Sequence, residues 1–209
     1  MVARGRPNAV ALLTSEALRW GVPRTILHCA RGDAHYLEGA VTTFTAAAEV
    51  TASARVASAQ VTGLLVYRHP PVPRPHGPST RRVPDPSLAE DAVRCYLANL
   101  ESGQMAAAAS CFTPDAVYSY PPRGPDGARD VAIGRAAIHE AFLARGTTTG
   151  RHQIRTVAVA DDGVQYVIDG RVVGLPGGAT ANFLSSVSIS DEGQINRYVT
   201  RMSSPEVLL

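Results

Sequence analysis

The stretch SLAEDAVRCYLANLESG (residues 87–103), followed shortly by CFTPDAVYSYPP (residues 111–122), decides the fold of this chain. In the first segment apolar residues recur every three or four positions, which indicates an amphipathic helix. Its opening SLAE has the pattern of a capping box, and its closing glycine predicts the helix end. In the second segment, residues 116–120 predict a strand, and the two prolines that follow end it. A loop rich in glycine, proline and aspartate is predicted after them.

The residues after this stretch predict the rest of the domain. Between the first helix and the strand, a second short helix is predicted over residues 104–111, and a third helix over residues 134–145. Four strands then follow, over residues 153–160, 164–173, 182–189 and 195–202. This order predicts an α+β fold in which a curved antiparallel sheet wraps around helices, forming a cone-shaped α+β barrel with one open end.

Proline content marks a boundary before this domain. Seven of the 15 prolines lie in HPPVPRPHGPSTRRVPDP (residues 69–86), and a segment with so few amide donors predicts an extended linker. We therefore predict an N-terminal part over residues 1–68, a proline-rich linker over residues 69–86, and a complete domain over residues 87–204.

The N-terminal part repeats elements of the C-terminal part. VARGR (residues 2–6) resembles VAIGR (residues 131–135); the first precedes a helix predicted over residues 7–20 and the second precedes the third helix. ARGDAHYLEGAV (residues 30–41) resembles ADDGVQYVIDGRV (residues 160–172). Residues 1–68 are therefore predicted to be a truncated second copy that lacks the first two helices and the first strand. Because exposed apolar sheet surface costs about 25 cal/mol per Å², we expect the C-terminal domain, a partner subunit or an upstream segment to cover this sheet.

Composition excludes several classes of function. Apolar residues make up 45% of the 209 residues, and 20 basic against 18 acidic residues leave a net charge of +2, which argues against a nucleic-acid-binding protein. Every basic residue is arginine, so no lysine is available for a Schiff base or a pyridoxal phosphate anchor. Three dispersed cysteines, no convincing signal peptide and no long apolar run lead us to expect a cytoplasmic protein without a membrane segment.

Four segments resemble the nuclear transport factor 2-like superfamily, and within it the polyketide-cyclase (SnoaL-like) and ketosteroid isomerase group. They are AVRCYLANLESGQ (residues 92–104), CFTPDAVYSYPP (residues 111–122), IGRAAIHEAF (residues 133–142) and VSISDEGQINRY (residues 187–198). The resemblance implies a cone-shaped pocket, which in this superfamily serves isomerases, cyclases, dehydratases, epoxide hydrolases and non-catalytic binders. It also implies a homodimer formed through the open face of the sheet.

The isomerase pattern is only partly kept. The tyrosine that donates to the oxyanion in those enzymes falls on Tyr96, but the position of the general-base aspartate is occupied by Tyr120. The second oxyanion donor aligns near Ser186, and a supporting tyrosine of the third helix falls on Phe142. Because a phenol of pKa about 10 is a poor proton acceptor, the sequence argues against a simple ketosteroid isomerase mechanism.

We therefore predict an apolar cup whose mouth carries phenols, which bind a hydrophobic small molecule. Tyr96 and Tyr120 would orient a carbonyl group with help from Ser186, and His139 or Asp169 are the candidate proton acceptors. The candidate substrate contacts are Tyr118, Phe142, Tyr166 and Phe183. Tyr96 and Phe142 could equally be ordinary core residues.

The predicted function is a cofactor-independent isomerase or cyclase that acts on a hydrophobic, carbonyl-containing, polyketide- or steroid-like metabolite. One alternative is a non-catalytic ligand-binding or dimerisation module of the same fold. Another is an epoxide-hydrolase-like enzyme, because Asp169-Gly-Arg171 places an acid and an arginine two residues apart on one strand face. No metal site is predicted, because the histidines at 28 and 35 do not form a convincing zinc pattern.

Overall fold

The computed structural model describes residues 24–31, 34–42, 47–57, 60–69, 72–73, 86–120, 130–147, 149–159 and 165–203. The chain divides into two compact units, one containing residues 1–72 and 206–209 and the other residues 73–205. Most of the proline-rich linker lies outside the described residues, as does the helix expected over residues 7–20. The domain boundaries and the truncated repeat remain predictions.

The first unit contains a four-stranded antiparallel sheet in which neighbours along the chain are neighbours in space. Its strands are β1 (Arg24–Arg31), β2 (Ala34–Thr42), β3 (Ala47–Ala57) and β4 (Gln60–His69). Among the described residues, the last four strands of the chain are likewise paired in chain order.

The described residues of the second unit form three α-helices, six strands and one short 3-10 helix (Pro176–Gly178) between the eighth and ninth strands of the chain. The elements in chain order are α1 (Pro86–Glu101), α2 (Met105–Ser110), β5 (Phe112–Tyr120), β6 (Asp130–Ile133), α3 (Arg135–Arg145), β7 (Arg151–Val159), β8 (Gln165–Leu175), β9 (Ala179–Ile189) and β10 (Ile195–Ser203). They form an α+β fold with one curved, unclosed sheet in the strand order β6-β5-β10-β9-β8-β7. The predicted fold class is thereby confirmed.

The sheet is mixed, whereas the sequence predicted an antiparallel one. Strand β10 returns beside β5 and pairs with it in parallel, with Tyr198 opposite Tyr118. The long connection between the two strands, which contains α3 and the four strands β6 to β9, is what allows β10 to run in the same direction as β5.

Two local features differ from the sequence prediction. The segment before α3 was expected to be a loop, but its last residues form the edge strand β6, which pairs Asp130 with Tyr120. Helix α1 begins at Pro86, one residue before the expected capping serine, and proline is well suited to a first helical position. Glu90, the other half of the expected capping box, instead binds Arg94, with 2.6 Å between Oε1 and Nη2.

The helices cover the concave face of the sheet, and the core lies between them. Helix α1 buries Val93, Tyr96, Leu97 and Leu100, and α3 buries Ile138 and Phe142. Successive strand side chains point to opposite faces, so each strand contributes every second residue to this core. Within the described residues, none of the helices is both long enough and apolar enough to cross a membrane.

Candidate functional site

Five aromatic rings fill the deep end of the cup. Tyr96, Phe112, Tyr118, Phe142 and Tyr198 are each at most 3% exposed. The rings of Tyr96 and Phe142 stack with centroids 5.6 Å apart, and those of Tyr118 and Tyr198 stack at 5.8 Å. Tyr118 meets Phe142 edge to face at 5.2 Å. This part of the cup is therefore packed core, and Tyr96 contacts other rings there.

The buried phenols are linked by hydrogen bonds. The hydroxyl oxygens of Tyr96 and Tyr118 are 3.3 Å apart, and Ser185 Oγ donates to Tyr198 Oη at 2.9 Å. Burial raises the pKa of Tyr96 well above its ordinary value, and the neighbouring Tyr118 and Tyr198 raise it further. Burial also raises the pKa of Tyr198. Both phenols consequently stay protonated at neutral pH and can only donate or accept hydrogen bonds.

A cavity of about 500 Å³ lies beside this cluster, between β5, β6 and α3. Its volume falls within the range of ordinary small-molecule pockets. Three alanines of α3 at positions 137, 141 and 144 share one helix face and leave room for a ligand. Within the described part of the chain, the residues that line the cavity are Tyr118, Tyr120, Asp130, Val131, Ala132, Ala137, Ala141, Phe142, Ala144 and Arg145.

One guanidinium group organises the polar wall of this cavity. Arg145 Nη1 donates to Tyr118 Oη at 3.2 Å, and Nη2 donates to Tyr120 Oη at 3.1 Å. Its guanidinium carbon also lies 4.1 Å from the centroid of the Tyr120 ring, which is cation–π geometry. Arg145 occupies the last turn of α3, where the helix dipole favours a cation. Two phenols and one cation are thus concentrated at a single point, where they can stabilise negative charge.

A carboxylate lines the same cavity. Asp130 is the first residue of β6, is exposed, and is paired in register with Tyr120. The sequence prediction missed it, because the preceding segment is rich in glycine and proline and was expected to be a loop throughout. The apolar run Val131-Ala132-Ile133 directly before a helix was the available signal for a strand here. The pairing places an acid from a neighbouring strand beside position 120, where β5 itself carries a tyrosine.

The predicted site residues separate into two groups. Tyr118, Tyr120 and Phe142 line the cavity, and Tyr96 is next to it through its contact with the Tyr118 hydroxyl. The remaining five predicted residues are not among those that line it. They are Tyr166, Phe183, Ser186, His139 and Asp169.

Strand alternation explains why two of these five residues, Ser186 and Asp169, lie away from the cavity. Ser186 accepts a hydrogen bond from the buried Arg197 at 3.0 Å, on the sheet face opposite to Ser185, so the hydroxyl that points into the core comes one residue earlier than predicted. Asp169 forms an ion pair with Arg155, with 2.8 Å between Oδ1 and Nη2.

The other members of this group and the suggested hydrolase pair are also accounted for. Tyr166 and Phe183 are buried in the hydrophobic core, and His139 is half-exposed on α3. Arg171, the other half of the pair, donates from Nε to Gln153 Oε1 at 2.7 Å. The acid and arginine of that pair therefore each bind a residue of β7.

A histidine–carboxylate pair joins the end of α1 to the start of β7. His152 Nδ1 is 2.9 Å from Glu101 Oε1, and the same oxygen accepts the backbone N–H of His152 at 2.6 Å. The ring packs edge to face on Phe183, with centroids 5.6 Å apart. Burial lowers the pKa of His152, Glu101 opposes this shift, and the charge of Arg145 adds to it.

Comparison with solved structures finds similar folds at low sequence identity. A protein of unknown function with a cystatin-like fold from Methylobium petroleophilum PM1 is 17% identical, with 60% of this chain and 82% of that one covered and a TM-score of 0.47. SalBIII, an epoxide hydrolase/cyclase-like enzyme of pyran ring formation in the polyether salinomycin, is 20% identical, with 58% and 95% covered and a TM-score of 0.46. A candidate polyketide cyclase from Sinorhizobium meliloti is 23% identical, with 53% and 94% covered and a TM-score of 0.41.

Sequence comparison gives a family but no close relative. No curated protein matches the chain. Residues 93–198, just over half of the chain, match the family model of the SnoaL-like domain. The matched segment contains the whole aromatic cluster and each described residue that lines the cavity. This chain therefore belongs to the SnoaL-like domain family.

Proposed function

We propose that the protein is a cofactor-independent isomerase or cyclase that acts on a hydrophobic, carbonyl-containing metabolite. One observation carries the proposal: Tyr118, Tyr120 and Arg145 converge on a cavity that the Asp130 carboxylate also lines. A donor group able to stabilise an oxyanion and a base able to take a proton are the two elements that enolate chemistry needs. Membership of the SnoaL-like family supports a reaction of this kind at the level of the family.

The chemical step is a proton transfer next to a carbonyl group. A C–H bond of the α-carbon breaks, its proton goes to an oxygen of Asp130, and its electron pair moves through the new C=C bond to the carbonyl oxygen. The resulting enolate is stabilised by the Tyr120 hydroxyl and the Arg145 guanidinium. Isomerisation follows when the proton returns from Asp130 to another carbon. Cyclisation follows when the enolate carbon attacks a second carbonyl carbon of the same molecule: the π bond of that carbonyl breaks, its electron pair moves to the oxygen, and this oxygen takes the proton from Asp130.

Hydrogen bonds to neighbouring side chains position the phenols of this site. Tyr118 accepts from Arg145 and contacts the Tyr96 hydroxyl, so Tyr96 acts on the cavity through Tyr118. Tyr120 Oη also donates to Met202 Sδ at 3.4 Å. Because a thioether is a weak acceptor, a substrate carbonyl can replace it as the partner of this hydroxyl.

Exchange of α-protons tests the proposal without knowledge of the natural substrate. The probe is 2-tetralone, a planar ketone with acidic α-protons, and its exchange in D₂O is followed by proton NMR. We expect wild-type protein to exchange these protons faster than buffer, Asp130→Asn to lose about 100-fold of this rate, and Tyr120→Phe to lose about tenfold. Glu140→Gln removes the same charge from the exposed face of α3 and leaves the rate unchanged.

Two outcomes contradict the proposal. One is exchange by wild-type protein at the buffer rate, and the other is an unchanged rate in Asp130→Asn. Circular dichroism of each variant shows whether the fold is retained, so a loss of rate can be assigned to the site.

A second candidate, a non-catalytic ligand-binding module, is favoured by the packing of the deep cup. The five rings of the aromatic cluster occupy the volume in which a catalytic cone would hold its substrate. Binding of 2-tetralone, seen as line broadening or saturation transfer, without exchange above the buffer rate would support this candidate over the enzyme.

A further inference from the structure

The guanidinium of Arg145 is not fully used by the protein. A guanidinium has five N–H donors, and the bonds to the Tyr118 and Tyr120 hydroxyls account for two of them. Arg145 also lines the cavity, so the remaining donors are within reach of a molecule bound there. The phenols hold the group in place from one side, as a fixed receptor requires.

Its charge also lacks a carboxylate partner within the part of the chain that is described. The ion pairs found there join Glu90 to Arg94, Asp169 to Arg155, and Glu101 to its two partners on β7. Asp130 lines the same cavity, but neither of its oxygens lies within 4.0 Å of Arg145. Neutral phenols stabilise a cation less than an anion does, so the site retains the capacity to bind an anion.

The rest of the wall limits the shape and the charge of that anion. Alanines 137, 141 and 144 with Phe142 form an apolar surface suited to a flat hydrocarbon body. Asp130 would repel a second negative charge at its side of the cavity. The wall therefore favours one anionic group, directed at Arg145, on an otherwise apolar molecule.

We propose that the cavity binds an organic acid, with a planar apolar body against α3 and a single carboxylate held by the Arg145 guanidinium. This inference rests on the proposed function, since it specifies the substrate class of the same cavity. A carboxylate receives two parallel N–H bonds from a guanidinium, which fixes the orientation as well as the affinity of the acid. The carbonyl group to be enolised would then lie next to the carboxylate, close to Tyr120.

Binding of a matched pair of probes tests this inference. The probes are 2-naphthoate and its neutral isostere 2-naphthamide, titrated into the full-length protein and followed by isothermal titration calorimetry at low and at high salt. We expect the wild-type protein to bind the acid about tenfold more tightly than the amide, because a charged hydrogen bond contributes more than a neutral one. The ratio between the affinities for the acid and for the amide should decrease as salt is added.

Two variants identify the group responsible. Arg145→Gln keeps N–H donors near the phenols but removes the charge, so we expect the acid and the amide to bind it equally. Arg94→Gln removes one charge from the exposed face of α1, and we expect it to keep the tenfold preference. Equal binding of the two probes by wild-type protein, an unchanged preference in Arg145→Gln, or no binding of either probe would overturn the inference.

The two proposals fail separately. The exchange experiment uses a neutral ketone, so a catalyst without selectivity for acids would exchange 2-tetralone and bind both naphthalene probes alike. A binding module for acids would prefer 2-naphthoate and leave the exchange of 2-tetralone at the buffer rate.

Discussion

Gly170 offers the sharpest test of how β8 packs against its neighbours. A Cβ atom added at this position would lie 2.6 Å from the backbone oxygen of Gln153 and 2.6 Å from Phe183 Cε1, with Phe183 Cζ closer still. Phe183 is 2% exposed and packs against the His152 ring, so it has little room to withdraw. The Gly170→Ala variant must therefore displace both an aromatic ring and a strand.

The expected loss follows from two opposing contributions. Overpacking of a filled core costs about 1–3 kcal/mol, and contact with a backbone atom places this site at the upper end. Alanine is better than glycine in a strand by roughly 0.5–1 kcal/mol, which offsets part of the cost. We expect Gly170→Ala to lower the free energy of unfolding by about 2 kcal/mol.

Gly150 supplies a matched control. A Cβ atom there would meet Val172 Cγ1 at 2.5 Å and Leu175 Cδ2 at 3.1 Å, which are the ends of side chains that can rotate, and the nearest backbone oxygen is at 3.5 Å. Gly150→Ala should therefore cost less than Gly170→Ala, about 1 kcal/mol or below.

Urea unfolding followed by far-UV circular dichroism measures these differences as shifts of the midpoint at constant slope. The double variant Gly170→Ala/Phe183→Leu removes the ring, so it should lose less stability than the sum of its two single variants, by about 1 kcal/mol. A Gly170→Ala variant as stable as wild type would refute the packing described here. Strict additivity in the double variant would refute the role of the Phe183 ring.

Two further predictions concern the core and its pH dependence. Phe142→Ala removes a fully buried ring from the aromatic cluster and should lower the free energy of unfolding, measured in urea, by about 3–5 kcal/mol. Leu143→Ala changes the neighbouring side chain, which is 52% exposed, and should change this free energy by less than about 0.5 kcal/mol. Equal losses in the two variants would contradict the packing described for the cluster. His152 has a pKa below its ordinary 6.5, chiefly through burial, so neutral histidine is favoured in the fold. The contribution of neutral His152 to folding stability is present above pH 6.5 and is lost as the pH falls through the depressed pKa of this residue. Stability should therefore fall less between about pH 7 and pH 5 in His152→Gln than in wild type or in the half-exposed control His139→Gln, and identical slopes in all three would contradict it.

Local periodicity was sufficient for most elements of the C-terminal unit. The apolar spacing of residues 87–103 and 134–145 predicted α1 and α3 to within two residues at either end. The alternation over residues 164–173 predicts that Tyr166 and Ile168 share one strand face, and that face is buried in the core; Tyr166 was expected to contact substrate there. These predictions succeed because a helix or strand that buries one face must repeat apolar residues at its own period.

Pairing between distant segments was not accessible in the same way. Nothing near Tyr120 in the sequence predicts that Asp130 lies across from it, because nine intervening residues rich in proline and glycine separate the two. The alignment placed a site hydroxyl at Ser186 when the strand turns Ser185 inward, since a shift of one residue exchanges the two faces of a sheet.

The sequence by itself determined the α+β class, the family, and the positions of one tyrosine on α1 and two on β5. The tertiary structure alone decided which of them face a cavity: Tyr96 lies in packed core, whereas Tyr118 and Tyr120 reach the wall where Arg145 joins them. The physical reason is that sequence periodicity shows which face of a helix or strand is buried. Whether a residue on that face contacts packed core or lines a cavity depends on which neighbouring side chains fill the space beside it. Here the five rings fill the deep end, and three alanines of α3 leave the side open.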